Sequence, residues 1–428
     1  MTPEIKKRIE QIRHGEVPEG YKKTILSIAP AAWSKSRIDQ ISTLSSGSTP
    51  RRDNTDNFDG NILWVTSGEL KNRVILETNE KISEEAAEKS NLTLYDVGTV
   101  AIAIYGLEAA GVRGTASIVG SRCTISQACM AFTDFKGISN EFFYYWYISN
   151  GQLIGLKYAQ GTKQQNLSSD IVGAFPICYP LEAEQQKIAA ILTTQDKVIE
   201  LKEKLLAEKQ RQKQYLCQQL LTGKKRLPGF SGVWKKVNLR EVLKERKAKN
   251  IEQNLRICSV AVQSGVVDQI EHLGRSYAAA DTSNYGVACY GDIIYTKSPT
   301  GDFPYGIIKQ SQMKENVAIS PLYGIYVPET YGLGYLLHTY FASAINAKNY
   351  LLPIVQKGAK NTINITNDIF ISNMLYLPMD KLEQNALAEI FIVADHEIEL
   401  LQKSIDAEKQ KKKALMQLLL TGIVRVKV

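Results

Sequence analysis

The chain has 428 residues, enough for two or three domains. Lysine and arginine number 52 against 44 aspartate and glutamate, a net charge of +8, which permits a nucleic-acid partner without requiring one. With no signal-peptide pattern, no membrane-length apolar run, six cysteines that form no CxxC pair and four histidines without zinc spacing, the expectation is a cytoplasmic protein with reduced thiols and no bound metal.

In chain order, residues 1–24 open with a short basic helix that carries Ile5, Ile9 and Ile12 on one side and stops at Gly15 and Pro18. This segment either extends the far end of the chain circularly or frays as a tail. Residues 25–180 form a first globular segment with 13 basic and 15 acidic residues, so its net charge is −2 and any contact to a polyanion there is local. Short extended runs at 62–66, 98–104 and 177–179 alternate with helical stretches at 83–89 and 141–150, an α+β pattern. The aromatic run at 142–147 reads as a buried helix, and Trp33, Trp64 and Trp234 read as core anchors more than as stacking platforms.

Residues 181–223 contain no proline and no glycine before Gly223, and helix formers dominate them. Ile188, Ile191, Val198, Leu205 and Leu216 recur on one face of a helix on the order of 50–60 Å long, which needs a partner. The partner lies in the same chain. Residues 379–428 repeat Glu184-Gln185 as Glu383-Gln384, Ala207-Glu208-Lys209-Gln210 as Ala407-Glu408-Lys409-Gln410, and Leu220-Leu221-Thr222-Gly223 as Leu419-Leu420-Thr421-Gly422. The second stripe is Leu387, Ile390, Ile398, Leu401, Ile405 and Met416. Burying stripe against stripe predicts an antiparallel pair.

Residues 224–233 read as a basic connector with proline and glycine. Residues 234–378 form a second globular segment, 15 basic against 11 acidic residues, net +4. It echoes the first: Trp234, Leu239 and Val242 answer Trp33, Ile38 and Ile41, and Gly358-Ala359-Lys360 answers Gly161-Thr162-Lys163. The expected architecture is one unit written twice, two globular domains separated by a pair of long antiparallel helices.

In order along the chain, this pattern resembles the specificity subunit of type I restriction-modification systems. The resemblance rests on PEGY at 18–21 with Trp33, GSTP at 47–50, NILWVTSGEL at 61–70, the run 161–167, PLEAEQ at 180–185, LLTGKKRLPGF at 220–230, YGDIIY at 290–295 and SPLY at 320–323. It covers nearly the whole length, and the order of the motifs is more specific than any one of them. It implies two target-recognition domains that each read half of a bipartite double-stranded DNA target, two methyltransferase subunits docked on this chain, and restriction/translocase subunits added to that core. S-adenosylmethionine, ATP and Mg are then expected in the partners and no cofactor in this chain. The second half departs from the pattern. It has no GxTP after Trp234, only the charged run 244–249, so the two domains are expected to read different half-sites.

The chemistry for catalysis is missing from the sequence. There is no Pro-Pro pair for a methylase loop that holds a flipped adenine, and no phosphate loop. A complete methylase–nuclease and a coiled-coil scaffold that binds only protein are the competing readings. Base readout needs Arg, Lys, Asn or Gln at base edges, and hydroxyls grip phosphates. The candidates for DNA binding are Ser46, Gly47, Ser48, Thr49, Arg51 and Arg52; Thr66, Ser67 and Lys71; Lys163, Gln164 and Gln165; Lys297, Ser298 and Thr300; and Lys357, Lys360 and Asn361. For the first group the alternative is a solvated turn, for 163–166 a turn or helix cap. Lys209, Arg211, Lys213, Lys409 and Lys411–Lys413 are either solvated helix faces or face DNA or a partner subunit.

Overall fold

A computed structural model describes residues 2–24, 28–357 and 363–427. The fold is α+β, and the chain divides into two compact units. The first comprises Met1–Leu201 with Ile405–Val428, the second Lys202–Ser404. The two long helices, Glu182–Leu220 and Lys381–Leu419, each give one half to each unit.

In the first unit a five-stranded sheet runs Thr43–Ser46, Cys129–Thr133, Val100–Ala103, Ala116–Val119, Val74–Ile75. Val100–Ala103 is buried on both faces, as its uninterrupted apolar run requires. A three-stranded sheet, Cys123–Ile125, Ile62–Val65, Lys81–Ile82, adjoins it. The aromatic run lies in the helix Asn140–Tyr158, which Ser139 caps and which sinks Phe142, Phe143, Tyr145 and Tyr147 into the core.

In the second unit the corresponding sheet is Leu243–Glu245, Gly324–Pro328, Ile293–Tyr295, Ile308–Gln310, with the same neighbour order as the first four strands of its counterpart. The short helices Ile38–Ile41 and Leu239–Val242 precede the edge strands, where the two tryptophan motifs place them. Two helices follow in the second unit, Tyr331–Phe341 and Ala344–Leu351, separated where Ser343 caps the second by accepting from Asn346 N–H.

The repeat extends to the way each domain grips its helices. In the first unit Gln185 donates to Pro180 O (2.8 Å) and accepts from the backbone N–H of Ser139 (2.7 Å). Tyr145 donates to Asp196 (2.7 Å), and Lys412 pairs with the same carboxylate (2.5 Å). In the second unit Gln384 donates to Pro378 O (2.9 Å) and accepts from Thr330 Oγ1 (2.7 Å), while Tyr335 donates to Asp395 (2.9 Å), which pairs with Lys213. Buried Glu184 holds Arg425 by two bonds of 2.7 Å, and buried Glu383 holds Arg226 in the same way. The helix halves run antiparallel within each unit, since rising numbers in one pair with falling numbers in the other.

The seam of the first helix differs from the stripe read from the sequence. Ile188, Leu192, Gln195 and Ile199 are the residues turned inward, a 3.5-residue period, whereas Ile191 and Leu205 are exposed. Gln195 is buried because its amide reaches Glu408 (2.7 Å). The N-terminal helix, Pro3–Arg13, is tied down: Arg8 donates to Ile423 O (2.8 Å), and Tyr21 to Gly422 O (2.7 Å).

Candidate nucleic-acid interface

Three of the candidate groups converge on one end of the five-stranded sheet. Ser46 is the last residue of its edge strand, opposite Met130. Gly47 N–H continues the ladder to Cys129 O (3.2 Å), and Ser48 N–H donates to Ile125 O (3.1 Å). A Cβ on Gly47 would stand 2.1 Å from Ile125 O, so the glycine is required by its own sheet. The close approach that Gly47 allows is thus used inside the fold. Ser126 N–H donates to Val65 O (2.9 Å), which brings Thr66 and Ser67 to the same end.

Ser48, Thr49 and Arg51 line an open polar hollow with Asn54, Asn57 and Lys89. Thr49 bonds Gln127 and Arg51 is exposed. Arg52 forks onto Glu80 (2.6 and 2.9 Å) and lies over Phe58 and Trp64. Its hydrogen bonds to Glu80 raise the guanidinium pKa and lower that of the carboxyl. Arg52 thus holds the base of the loop. Thr66 has both its N–H and its hydroxyl on Glu69 (2.8 Å each), a capping arrangement, whereas Lys71 is exposed.

The run 161–166 folds back on itself. Gly161 has φ +100° and a Cβ there would meet Gln164 O at 2.1 Å, so only glycine serves. Asn166 exchanges backbone bonds of 2.9 Å with Gln160, and Leu167 N–H donates to Ile104 O (2.8 Å). Ile104 N–H in turn reaches Ala128 O (2.9 Å). Loop 104–115, which was not singled out in the sequence, therefore clasps the 161–166 loop. Tyr105 donates to Gln164 (2.5 Å), Glu108 accepts from Gln165 N–H (2.8 Å), and Arg113 donates to Gln165 Oε1. The N–H of Gln165 is the chief cause of the lowered Glu108 pKa. Lys163 is exposed.

The second unit presents the same end of its sheet with different residues. Arg246 N–H donates to Ile325 O (2.8 Å), so the charged run 244–249 takes the place of the GSTP loop. Arg246 forks onto buried Asp292 (2.6 and 3.0 Å), and Lys247 and Lys249 are exposed, the latter bonded to Asn284 O (3.0 Å). Lys297 has φ +57°, uncommon for a side-chain-bearing residue. Burial lowers its pKa and nearby Glu245 partly offsets this. Ser298 and Thr300 are exposed on the same loop, where Thr300 exchanges backbone bonds of 3.0 Å with Phe303. Lys357 ends the short strand Gln356–Lys357; Lys360 and Asn361 lie outside the described residues.

On the helices, Lys213 and Lys412 are committed to Asp395 and Asp196, and Lys209 pairs with Glu397 (2.8 Å). Arg211 is exposed and pairs with Glu208 (2.7 Å). Among the described residues no group of three or more His, Cys, Asp or Glu is placed to hold a metal ion, and no helix is long and apolar enough to cross a membrane.

Residues 30–210 match the family described as the type I restriction modification DNA specificity domain. The specificity subunit of the type I restriction enzyme MjaIX from Methanocaldococcus jannaschii is 27% identical over 188 residues, 43% of this chain and 42% of the relative, so the match spans about two fifths of that protein. The S subunit of a type I restriction-modification system from M. genitalium has a similar fold, with a TM-score of 0.59 over 90% of this chain and 96% of that one at 12% identity. A chain from a structure concerned with complex assembly and conformational transition of the type I R-M system gives 0.52 over 92% and 99% at 15% identity.

Proposed function

We propose that this chain is the sequence-specificity subunit of a type I restriction-modification complex. It reads a bipartite DNA target with two recognition domains and brings methyltransferase and restriction subunits to it. The observation that carries the reading is the duplication. The same sheet end, with an exposed polar loop cluster, occurs once in each unit, and each unit docks on its helix halves through the same Gln, Tyr, Asp and Lys positions. Two differently furnished copies suit a target with two different halves. The exposed hydroxyls, lysines and Arg51 suit phosphate and base edges, and backbone loops at sheet ends allow close approach.

Catalysis belongs to partners in this reading. Two methyltransferase subunits supply adenine methylation with S-adenosylmethionine, and restriction subunits use ATP and Mg. The complex works in the cytoplasm. Exposed apolar side chains on the long helices offer area for protein partners: Ile191 and Leu201 in the first unit, Leu205, Tyr215, Leu382, Val393 and Leu400 in the second.

The test is methylation mapping in a host that lacks other adenine methylases. Co-expression with the partner methyltransferase is expected to yield one bipartite methylated motif, and the chain alone none. Methylation by the chain alone would establish a complete enzyme instead. Assembly with the partner but no specific DNA binding would leave a protein scaffold.

A further inference from the structure

Two glutamines in the first unit are held by their oxygens. Gln165 is fixed at three points: its N–H donates to Glu108 (2.8 Å), its carbonyl accepts from Leu107 N–H (3.1 Å), and its side-chain Oε1 accepts from Arg113. A guanidinium has donors and no acceptor, so the amide of Gln165 must turn its oxygen inward. Arg113 is itself held in place, its stem packed so closely on Gly155 that a Cβ there would lie 2.6 Å from Arg113 Cγ. Gln164, next in the loop and exposed, has its Oε1 on the Tyr105 hydroxyl (2.5 Å). Neither Nε2 has a partner among the described residues. Lys163 beside them is exposed and can only donate.

We propose that the 163–165 loop is a donor-only contact, which takes hydrogen-bond acceptors on the DNA of the first half-site and excludes the bidentate amide–adenine pair. That pair needs one donor and one acceptor from the same amide, and here the acceptor is engaged inward. The acceptors it can take are phosphate oxygens or an acceptor base edge such as guanine O6 and N7. Arg113, Tyr105 and Glu108 are positioning residues. This inference rests on the reading of the chain as a DNA-specificity subunit.

The experiment uses the full chain assembled with its partner methyltransferase and a duplex carrying the motif found by methylation mapping. Gln165→Glu keeps an oxygen for Arg113 but turns an acceptor outward. Its affinity for the duplex is expected to fall about fivefold or more. Gln165→Met removes the donors without adding charge and serves if the glutamate disturbs the loop; its expected loss is similar. Replacing guanines of the first half-site one at a time by 7-deazaguanine, which lacks the N7 acceptor, separates the two sources. A loss at one position that is absent in Gln165→Met assigns the base edge. A loss in the variants equal on all sequences assigns phosphate. Wild-type affinity in both variants would overturn the proposal while the complex still binds its motif. A wild-type complex with neither motif nor specific binding would overturn the underlying reading as well.

Discussion

Glu383 is buried, yet it carries three donors: two from Arg226 and the indole N–H of Trp234 at 3.2 Å. Glu383→Ala leaves a guanidinium half-covered and an indole N–H unpaired, and is expected to cost the second unit about 3 kcal/mol. Its counterpart Glu184 holds Arg425, which is more exposed, and in place of the indole accepts only a long bond from Val426 N–H (3.4 Å), so Glu184→Ala is expected to cost less, about 1 kcal/mol. Urea titration read by hydrogen exchange on peptides from each unit separates the two, and equal losses would contradict the asymmetry. His338 gives a pH signature. Burial, with Lys309 and Lys213 adding to it and Asp395 opposing, pushes its pKa down to about 3, while its Nδ1 accepts from Gln310 N–H (3.1 Å). The folded value lies below the unfolded one of 6.5, so the stabilisation is present above pH 6.5 and is lost as the pH falls towards 3. The second unit should lose up to about 1.4 kcal/mol per pH unit in that window. His338→Gln, which retains an acceptor, should flatten the slope relative to wild type.

At the scale of elements, the docking of each domain runs through one tyrosine and one aspartate. Tyr335→Phe is expected to cost about 1 kcal/mol and to raise hydrogen exchange in Tyr331–Phe341, while Asp395→Ala also strands Lys213 and should cost more. An Asp395→Ala protein no less protected than Tyr335→Phe would show that the lysine is not held there. The two long helices were legible because AEKQ and LLTG recur and no proline interrupts them. Their seam was less so. Hydrophobicity alone selected Ile191 and Leu205, while the inward positions include buried Gln195 and half-buried Lys209 and Lys213, polar residues held by partners far along the chain. The same limit hid the clasp on the 161–166 loop. Tyr105, Glu108 and Arg113 look like ordinary loop residues until strand pairing sets Ile104 beside Leu167. Conversely, Arg52 looked free to meet DNA because Glu80 stands 28 positions away, and sequence order does not show their fork.

For the whole molecule, the duplication makes a demanding prediction. The first domain enters and leaves through one ladder, Ser34–Arg37 against Pro176–Tyr179, with Ser34 opposite Tyr179. The second does the same, Lys235 opposite Leu377. Each insert is therefore closed at its neck by its own hydrogen bonds. Each also brings the cap residue and the tyrosine that meet the helices, Ser139 and Tyr145 or Thr330 and Tyr335. Replacing residues 34–179 by residues 235–377 gives Gln185 and Asp196 an equivalent partner set. The neck pairs in either copy, since a ladder of backbone bonds does not depend on the side chains. With the partner methyltransferase, the hybrid is expected to methylate a target in which both halves are the second half-site of the parent. The parent motif supplies the reference by methylation mapping. A hybrid that retained the first half-site would place its readout outside residues 34–179. A hybrid in which both halves were new would show that the domains do not read independently.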